Sequence, residues 1–273
     1  MFPELLSIGP VTVHTYGLFV AAGILAGVLL GEHLFQRAGG EPGRIIDMSV
    51  IVVLAGLVGA RVAFVLINWD YYTGAPLEIL KFWRGGLVFF GGLIGGIAAF
   101  ILVTQYFRLP LREMLDIGAA AVPFGHALGR LGCFSAGCCY GKPSNLPWSV
   151  TFSHPDCLAA EVLNVPVHPT QLYSFLFLAG LTAFLVRLHP RRRFPGQMAS
   201  FYLLFYGVFR FAVEFLRGDP RGSIRAAGVT LSVSQWFSLA ALTAGAAMYF
   251  LFSRGSRQNA AGENPLGNPP PLP

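Results

Sequence analysis

Seven stretches of this chain, at about 13–34, 45–67, 86–107, 115–135, 171–188, 197–216 and 231–252, are apolar over close to the roughly 20 residues that a helix needs to cross the hydrocarbon of a bilayer. In lipid every backbone N–H and C=O must be satisfied inside the segment, so such runs cross as helices. Composition agrees: over 273 residues, 54% are hydrophobic and only 12% charged, with a mean hydropathy of +0.60. A soluble domain carries about twice that share of charge. The chain therefore reads as an all-α, polytopic membrane protein with seven transmembrane helices. The fourth and sixth spans stand apart because ionisable residues lie within or beside them. The first span lacks a basic leader and a small-residue cleavage site, so it reads as a retained helix rather than a signal peptide.

The loops set the orientation. Segments 35–44, 108–114, 187–196 and the C-terminal tail hold ten Lys and Arg, against six on the other side, and the cluster Arg191, Arg192, Arg193 carries most of the difference. The positive-inside rule then puts the N-terminus outside and the C-terminus in the cytoplasm. The net charge of +6 is read as topology and attraction to anionic lipid, and no nucleic acid is expected as a partner. Residues 1–254 are expected to form one membrane domain. Within it, segment 137–170 is broken by Pro143, Pro147, Pro155, Pro166 and Pro169 and reads as a small extracytoplasmic cap. Residues 255–273, rich in Gly, Asn and Pro, read as a disordered cytoplasmic tail.

Charges at bilayer depth cost several kcal/mol and mark cavities, partners or function. YGVFRFAVEFLR places Tyr206, Arg210, Glu214 and Arg217 along one helical face. A self-neutralising Arg–Glu pair is one explanation, but two arginines for one carboxylate leave a positive charge over. Arg61 and Arg130 add two more span arginines with no acid nearby in sequence. A guanidinium is permanently charged and its fork of donors fits phosphate oxygens, so several together point to a phospholipid head group. The competing reading is that each snorkels to the nearest interface, which suits Arg217 better than Arg61.

Glycine marks close approach. WRGGLVFFGGLIGG, residues 83–96, has six glycines in fourteen positions, and Gly92 with Gly96 and Gly125 with Gly129 have GxxxG spacing. The doublets Gly85–Gly86 and Gly91–Gly92 are also able to present backbone N–H groups to an anion where a helix begins.

GRLGCFSAGCCYGKP, residues 129–143, holds three of the four cysteines. Zinc ligation by Cys133, Cys138, Cys139 and Cys157 lacks the usual CxxC pairing, and neighbouring cysteines rarely ligate one ion together. A disulfide from Cys157 to Cys138 or Cys139, a reactive thiol favoured by Arg130, and plain packing at a helix end are the other readings. Gly137, Gly141 and Pro143 stop the helix in any of them. His154 and His168 lie in the long loop, where histidines are commonly hydrogen-bonded surface groups, and Thr170 after Pro169 reads as an N-cap.

Taken together, HTYGLF, GARVAFVL, GGLVFFGGLIGG, GRLG, HPTQLYS, YGVFRFAVEFLR and LSVSQWFSL, in this order over about 250 residues, make the chain resemble the prolipoprotein diacylglyceryl transferase family. The resemblance implies a seven-helix enzyme of the bacterial inner membrane that moves the diacylglyceryl group of phosphatidylglycerol to the lipobox cysteine of preprolipoproteins. It implies phosphate-binding roles for Arg130 and Arg210. It also implies a shell of Tyr16, Tyr206, Glu214, Arg217 and Gly141 around them and draws in Gln171, while Arg61, Gly91 and Gly92, read above from charge and glycine, and Cys133 and Cys138 of the signature complete the expected substrate-binding set. Substrate thiolate attacks the glycerol carbon bearing the phosphate and glycerol phosphate leaves, so neither cofactor, metal nor enzyme nucleophile is expected. The sequence departs from the family pattern at Cys133, where the family has Asn, at Cys138, where it has Glu, and at Phe90, where it has His. Phe90 cannot take a proton, which leaves His126, His168 and His14 as candidate bases, or a thiol acidified by the arginine field. A paralogue that binds phospholipid but performs another transfer, a non-catalytic lipid-binding protein, and a membrane thiol oxidoreductase using Cys138 and Cys139 are the rival functions.

Overall fold

A computed structural model describes residues 4–8, 11–81, 85–219, 222–226 and 228–262. A long helix overlaps each of the seven apolar stretches: α1 (Thr15–Arg37), α2 (Arg44–Ile67), α4 (Phe89–Tyr106), α5 (Leu111–Ala136), α6 (Thr170–Leu188), α7 (Gln197–Val213) and α8 (Val233–Gly262), with a short α3 (Trp69–Gly74) after α2. Among the described residues six of these are long and apolar enough to cross a membrane, namely α1, α2, α4, α6, α7 and α8. α5 is the exception: it is 26 residues long but carries charges along its length, among them Asp116 and Arg130. Among the described residues three antiparallel strand pairs, β1–β2 (Glu4–Ile8, Val11–His14), β3–β4 (Val150–Thr151, Pro166–Val167) and β5–β6 (Ser223–Ala226, Val229–Ser232), add short strands that the helical periodicity does not announce. The helix of α8 runs on to Gly262, past the expected start of the tail at Gly255. The remainder of that tail, 263–273, lies outside the described residues.

The chain divides into two compact units, Met1–Gly27 with Leu115–Pro273, and Val28–Met114. In the second, α2 lies on α4 through glycine. A Cβ on Gly59 would meet Gly91 O at 2.5 Å, and one on Gly91 would meet Ala63 Cβ at 2.4 Å, so the two backbones touch only because both side chains are missing. Close contact of this kind drives association in lipid, where burial of apolar surface gains nothing. Val50, Leu54 and Val58 of α2 and Ile94 and Leu102 of α4 stay exposed, as lipid-facing residues do. The first turn of α2 is satisfied from α1: buried Glu32 accepts the N–H groups of Gly43 (2.6 Å) and Ile45 (3.0 Å), a carboxylate at the positive end of the helix dipole.

In the first unit the same device recurs. Asp116, fully buried in α5, accepts the N–H groups of Gly196 (2.8 Å) and Ala199 (3.1 Å) and so caps α7, with Gly196 at φ 94°. Gly23 of α1 and Gly125 of α5 meet backbone to backbone, each blocking a Cβ on the other at about 2.5–2.6 Å. Ser232 and Gln235 form a capping box at the start of α8: Ser232 N–H donates to Gln235 Oε1 (3.0 Å) and Gln235 N–H to Ser232 Oγ (3.1 Å). Segment 137–170 has a core of its own, with Phe152, Ala159 and Val167 wholly buried beside Tyr140 and Cys157, and Phe134 at the end of α5 packed against it.

Candidate functional site

The polar residues of α5 and α7 meet in the first unit. Arg130 Nε–H donates to His126 Nε2 at 3.1 Å. A guanidinium has no acceptor, so His126 presents its lone pair on Nε2 and carries its proton on Nδ1. The His126 ring meets the Tyr206 ring edge-on at 5.6 Å, and both Arg130 and Arg210 lie within its electrostatic reach. One turn further along α7, Arg210 Nη1 bonds Glu214 Oε2 at 2.5 Å. The chain then leaves the helix, and Arg217 turns its fork on Asp219 (Nε to Oδ1 2.9 Å, Nη2 to Oδ2 2.6 Å) with Glu214 Oε2 3.8 Å away.

Asp219 corrects the charge inventory drawn from the sequence. It lies beyond the helical face that places Arg210, Glu214 and Arg217, yet it is the carboxylate that neutralises Arg217. Three guanidinium groups thus meet two carboxylates, and among the described residues no carboxylate pairs with Arg130. The surplus positive charge sits at Arg130, beside a neutral imidazole.

The turn after α5 brings further expected residues alongside. Tyr16, in the first turn of α1, packs at Gly132 and lies within electrostatic reach of Arg130, Cys133, Cys138 and Cys139. Gly141 is where three segments converge: its N–H donates to His168 O (3.0 Å), Lys142 N–H donates to Leu216 O (2.8 Å), and a Cβ would strike His168 at 2.5 Å. Gln171, fully buried, donates Nε2 to Cys138 O (2.7 Å), while its Oε1 has no hydrogen-bond partner among the described residues. Thr170 does not act as an N-cap; it is the first residue of α6 and its hydroxyl donates to Cys139 O (2.7 Å).

All four cysteines are thiols, so the disulfide from Cys157 is not formed. Cys157 is buried in the cap core, and burial pushes its thiol above the ordinary range. Cys133, Cys138 and Cys139 gather with their Sγ atoms within 4.8 Å of one another. Hydrogen bonds from the Cys133 and Cys138 thiols, and the guanidinium of Arg217, hold Cys139 well below the usual thiol range, whereas the bonds of Cys138 with Cys133 and Cys139, together with burial, push the Cys138 thiol up.

Other expected residues do different work. Arg61 spends four of its donors on backbone carbonyls, those of Ile79 (2.9 Å), Glu78 (2.7 Å), Gly85 (2.8 Å) and Gly86 (3.1 Å). It ties α2 to the loop before α4, and the first glycine doublet offers it C=O rather than offering N–H to an anion. Gly91 and Gly92 serve the α2–α4 contact, and the Gly92 N–H is closed on Val88 O at 3.2 Å. These residues and Phe90 belong to the second unit. His168 Nδ1 lies 3.3 Å from the Tyr173 hydroxyl, and that hydroxyl accepts from Trp148 Nε1 at 2.8 Å. His14 ends β2, opposite Glu4.

Comparison with known proteins gives a consistent result. A family model described as prolipoprotein diacylglyceryl transferase matches residues 3–251. A phosphatidylglycerol–prolipoprotein diacylglyceryl transferase of Clostridium tetani is 35% identical over 239 residues, covering 88% of this chain and 93% of that protein. Proteins of the same name from Synechococcus elongatus (33% over 248 residues, covering 88% and 86%) and Methylococcus capsulatus (37% over 221 residues, covering 79% and 81%) are similar too.

Proposed function

Since the chain belongs to the prolipoprotein diacylglyceryl transferase family, we propose that it transfers the diacylglyceryl group of phosphatidylglycerol to a prolipoprotein, as its relatives' names describe, with the lipobox cysteine as the acceptor. The acceptor thiolate forms a C–S bond to the glycerol carbon while that carbon's bond to the phosphate oxygen breaks, and glycerol phosphate leaves with the electron pair. The lipid phosphate carries one negative charge as a diester and gains a second as it departs. A cation placed there binds the transition state more strongly than the substrate, which is the condition for raising the rate.

The observation that carries this reading is Arg130, whose partner is a neutral imidazole and whose remaining donors are uncommitted to any carboxylate among the described residues. Arg210, oriented by Glu214, is its partner on the phosphate, and Tyr16, Tyr206, Gln171, Cys133, Cys138 and Gly141 form the surrounding shell. His126 is a positioning residue in this account, because its basic nitrogen is occupied by Arg130. The reading places seven helices, α5 included, across a bacterial inner membrane with the N-terminus outside, the 137–170 cap extracytoplasmic and the C-terminus in the cytoplasm.

Purified protein given phosphatidylglycerol and a lipobox peptide should release glycerol phosphate, and Arg210→Ala should abolish the release. Binding of phosphatidylglycerol with no release, under conditions where a family member bearing the third-span histidine is active, would favour a lipid-binding paralogue instead.

A further inference from the structure

The acceptor's thiol must lose a proton, and the basic nitrogen of His126 is committed to Arg130. The thiol turn supplies another route. Zinc holds sulfur ligands at about 2.3 Å, which puts tetrahedral ligands about 3.8 Å apart. The Cys133, Cys138 and Cys139 Sγ atoms, mutually within 4.8 Å, need to close by no more than about 1 Å to meet that spacing. Adjacent cysteines ordinarily point to opposite sides of an extended backbone. Cys139 escapes this because it adopts φ 65°, in the left-handed region, where the alternation is lost.

The backbone of the turn is held by groups that are not ligands. Cys138 N–H donates to Cys133 O (3.1 Å), Gln171 Nε2 to Cys138 O and Thr170 Oγ1 to Cys139 O. Outer contacts of this kind keep metal ligands in place. The three cysteines are half-buried, neither sealed in a core nor standing on the surface. Three thiolates around a dication carry one net negative charge, and the guanidinium groups of Arg130 and Arg217 lie within electrostatic reach of Cys133 and Cys139 respectively.

We propose that Cys133, Cys138 and Cys139 bind one zinc ion whose fourth position receives the thiol of the acceptor peptide. The fourth ligand rests on the transferase reading; the three-thiol site does not. On coordination the acceptor thiol gives its proton to water and is held as thiolate. The sulfur then forms its bond to the glycerol carbon as the C–O bond to phosphate breaks, and no electron passes to or from the metal, which has no redox chemistry of its own. The site thereby revises the expectation of a metal-free centre.

Cobalt(II), a coloured substitute for zinc, tests this on the full chain in detergent. The expected result is one cobalt per chain, with thiolate-to-metal absorption that zinc abolishes. The absorption is lost in Cys133→Ser, Cys138→Ser and Cys139→Ser and kept in Cys157→Ser. A lipobox peptide should shift the visible bands, and its Cys→Ser form should not. On wild-type protein, where folding of a variant is not in question, zinc should protect all three thiols from maleimide, read by mass spectrometry. Absence of stoichiometric cobalt, no zinc protection, or bands indifferent to the peptide would overturn the proposal. Transfer undiminished by chelation, with no cobalt bound, would sink the zinc site and leave the transferase reading standing. Peptide-responsive bands with no product from phosphatidylglycerol would support the site and refute that reading.

Discussion

Replacing Arg130 by glutamine keeps a planar amide but removes the charge and the Nε–H that His126 accepts. In the proposed mechanism the lost interaction is with a phosphate whose charge doubles during the reaction, so the loss should fall on the transition state. Removing one preorganised donor from a developing oxyanion costs about 2.7–4 kcal/mol, or about 10²–10³ in rate. Arg130 supplies the one cation at the site with no carboxylate of its own among the described residues, so the full effect is expected. Glycerol phosphate release from phosphatidylglycerol, measured against lipid concentration, should show the loss mainly in kcat, with KM little changed. Arg130→Lys, which keeps charge but not the fork, should recover part of it. Arg187→Gln, at an exposed position near the end of α6, should be indistinguishable from wild type. An Arg130→Gln protein within about threefold of wild type would refute the reasoning, since that corresponds to less than about 1 kcal/mol.

Three further outcomes follow from packing and charge. Asp116→Ala leaves two buried N–H groups at the start of α7 without an acceptor, at about 3 kcal/mol in all, and should lower the thermal midpoint in detergent by roughly 6–12 °C. Gly125→Ala should destabilise the protein, because its Cβ would lie 2.6 Å from Gly23 O. Gly118→Ala in the same helix, with nothing within 4 Å, should be neutral or slightly stabilising in the same melt. In metal-free protein Cys139, acidified by its thiol neighbours and Arg217, should be alkylated below neutral pH faster than Cys138, as read by peptide mass mapping; equal rates would refute the assigned order.

Most of the helical framework was legible because membrane length and apolarity act through composition alone. α5 shows the limit: its 26 residues form a helix, but the charges that give it Asp116, His126 and Arg130 also take it below the apolarity of the other six. The site arginines were legible as charges out of place, but their partners were not. Asp219 pairs with Arg217 only because the chain leaves the helix after Leu216, a change of geometry that helical spacing cannot anticipate. Arg61 is claimed by carbonyls of a loop distant in sequence, and carbonyls carry no sequence signal at all. On an extended backbone the adjacent Cys138 and Cys139 would point apart, and it is the positive φ at Cys139, which carries no sequence signal, that lets the three Sγ atoms gather. The short hairpins escaped because strands of two to five residues are too brief for a period to show.

The proposed reaction joins a diacylglyceryl group to a peptide thiol at an arginine-held phosphate. The most direct measurement is the mass of a lipobox peptide after incubation with the wild-type protein in phosphatidylglycerol bilayers. The expected product is a thioether-linked diacylglyceryl group on the cysteine, in step with glycerol phosphate released, formed at least about 100-fold more slowly with Arg130→Gln. A peptide left unmodified by wild type, or modified equally well by the variant, would contradict it.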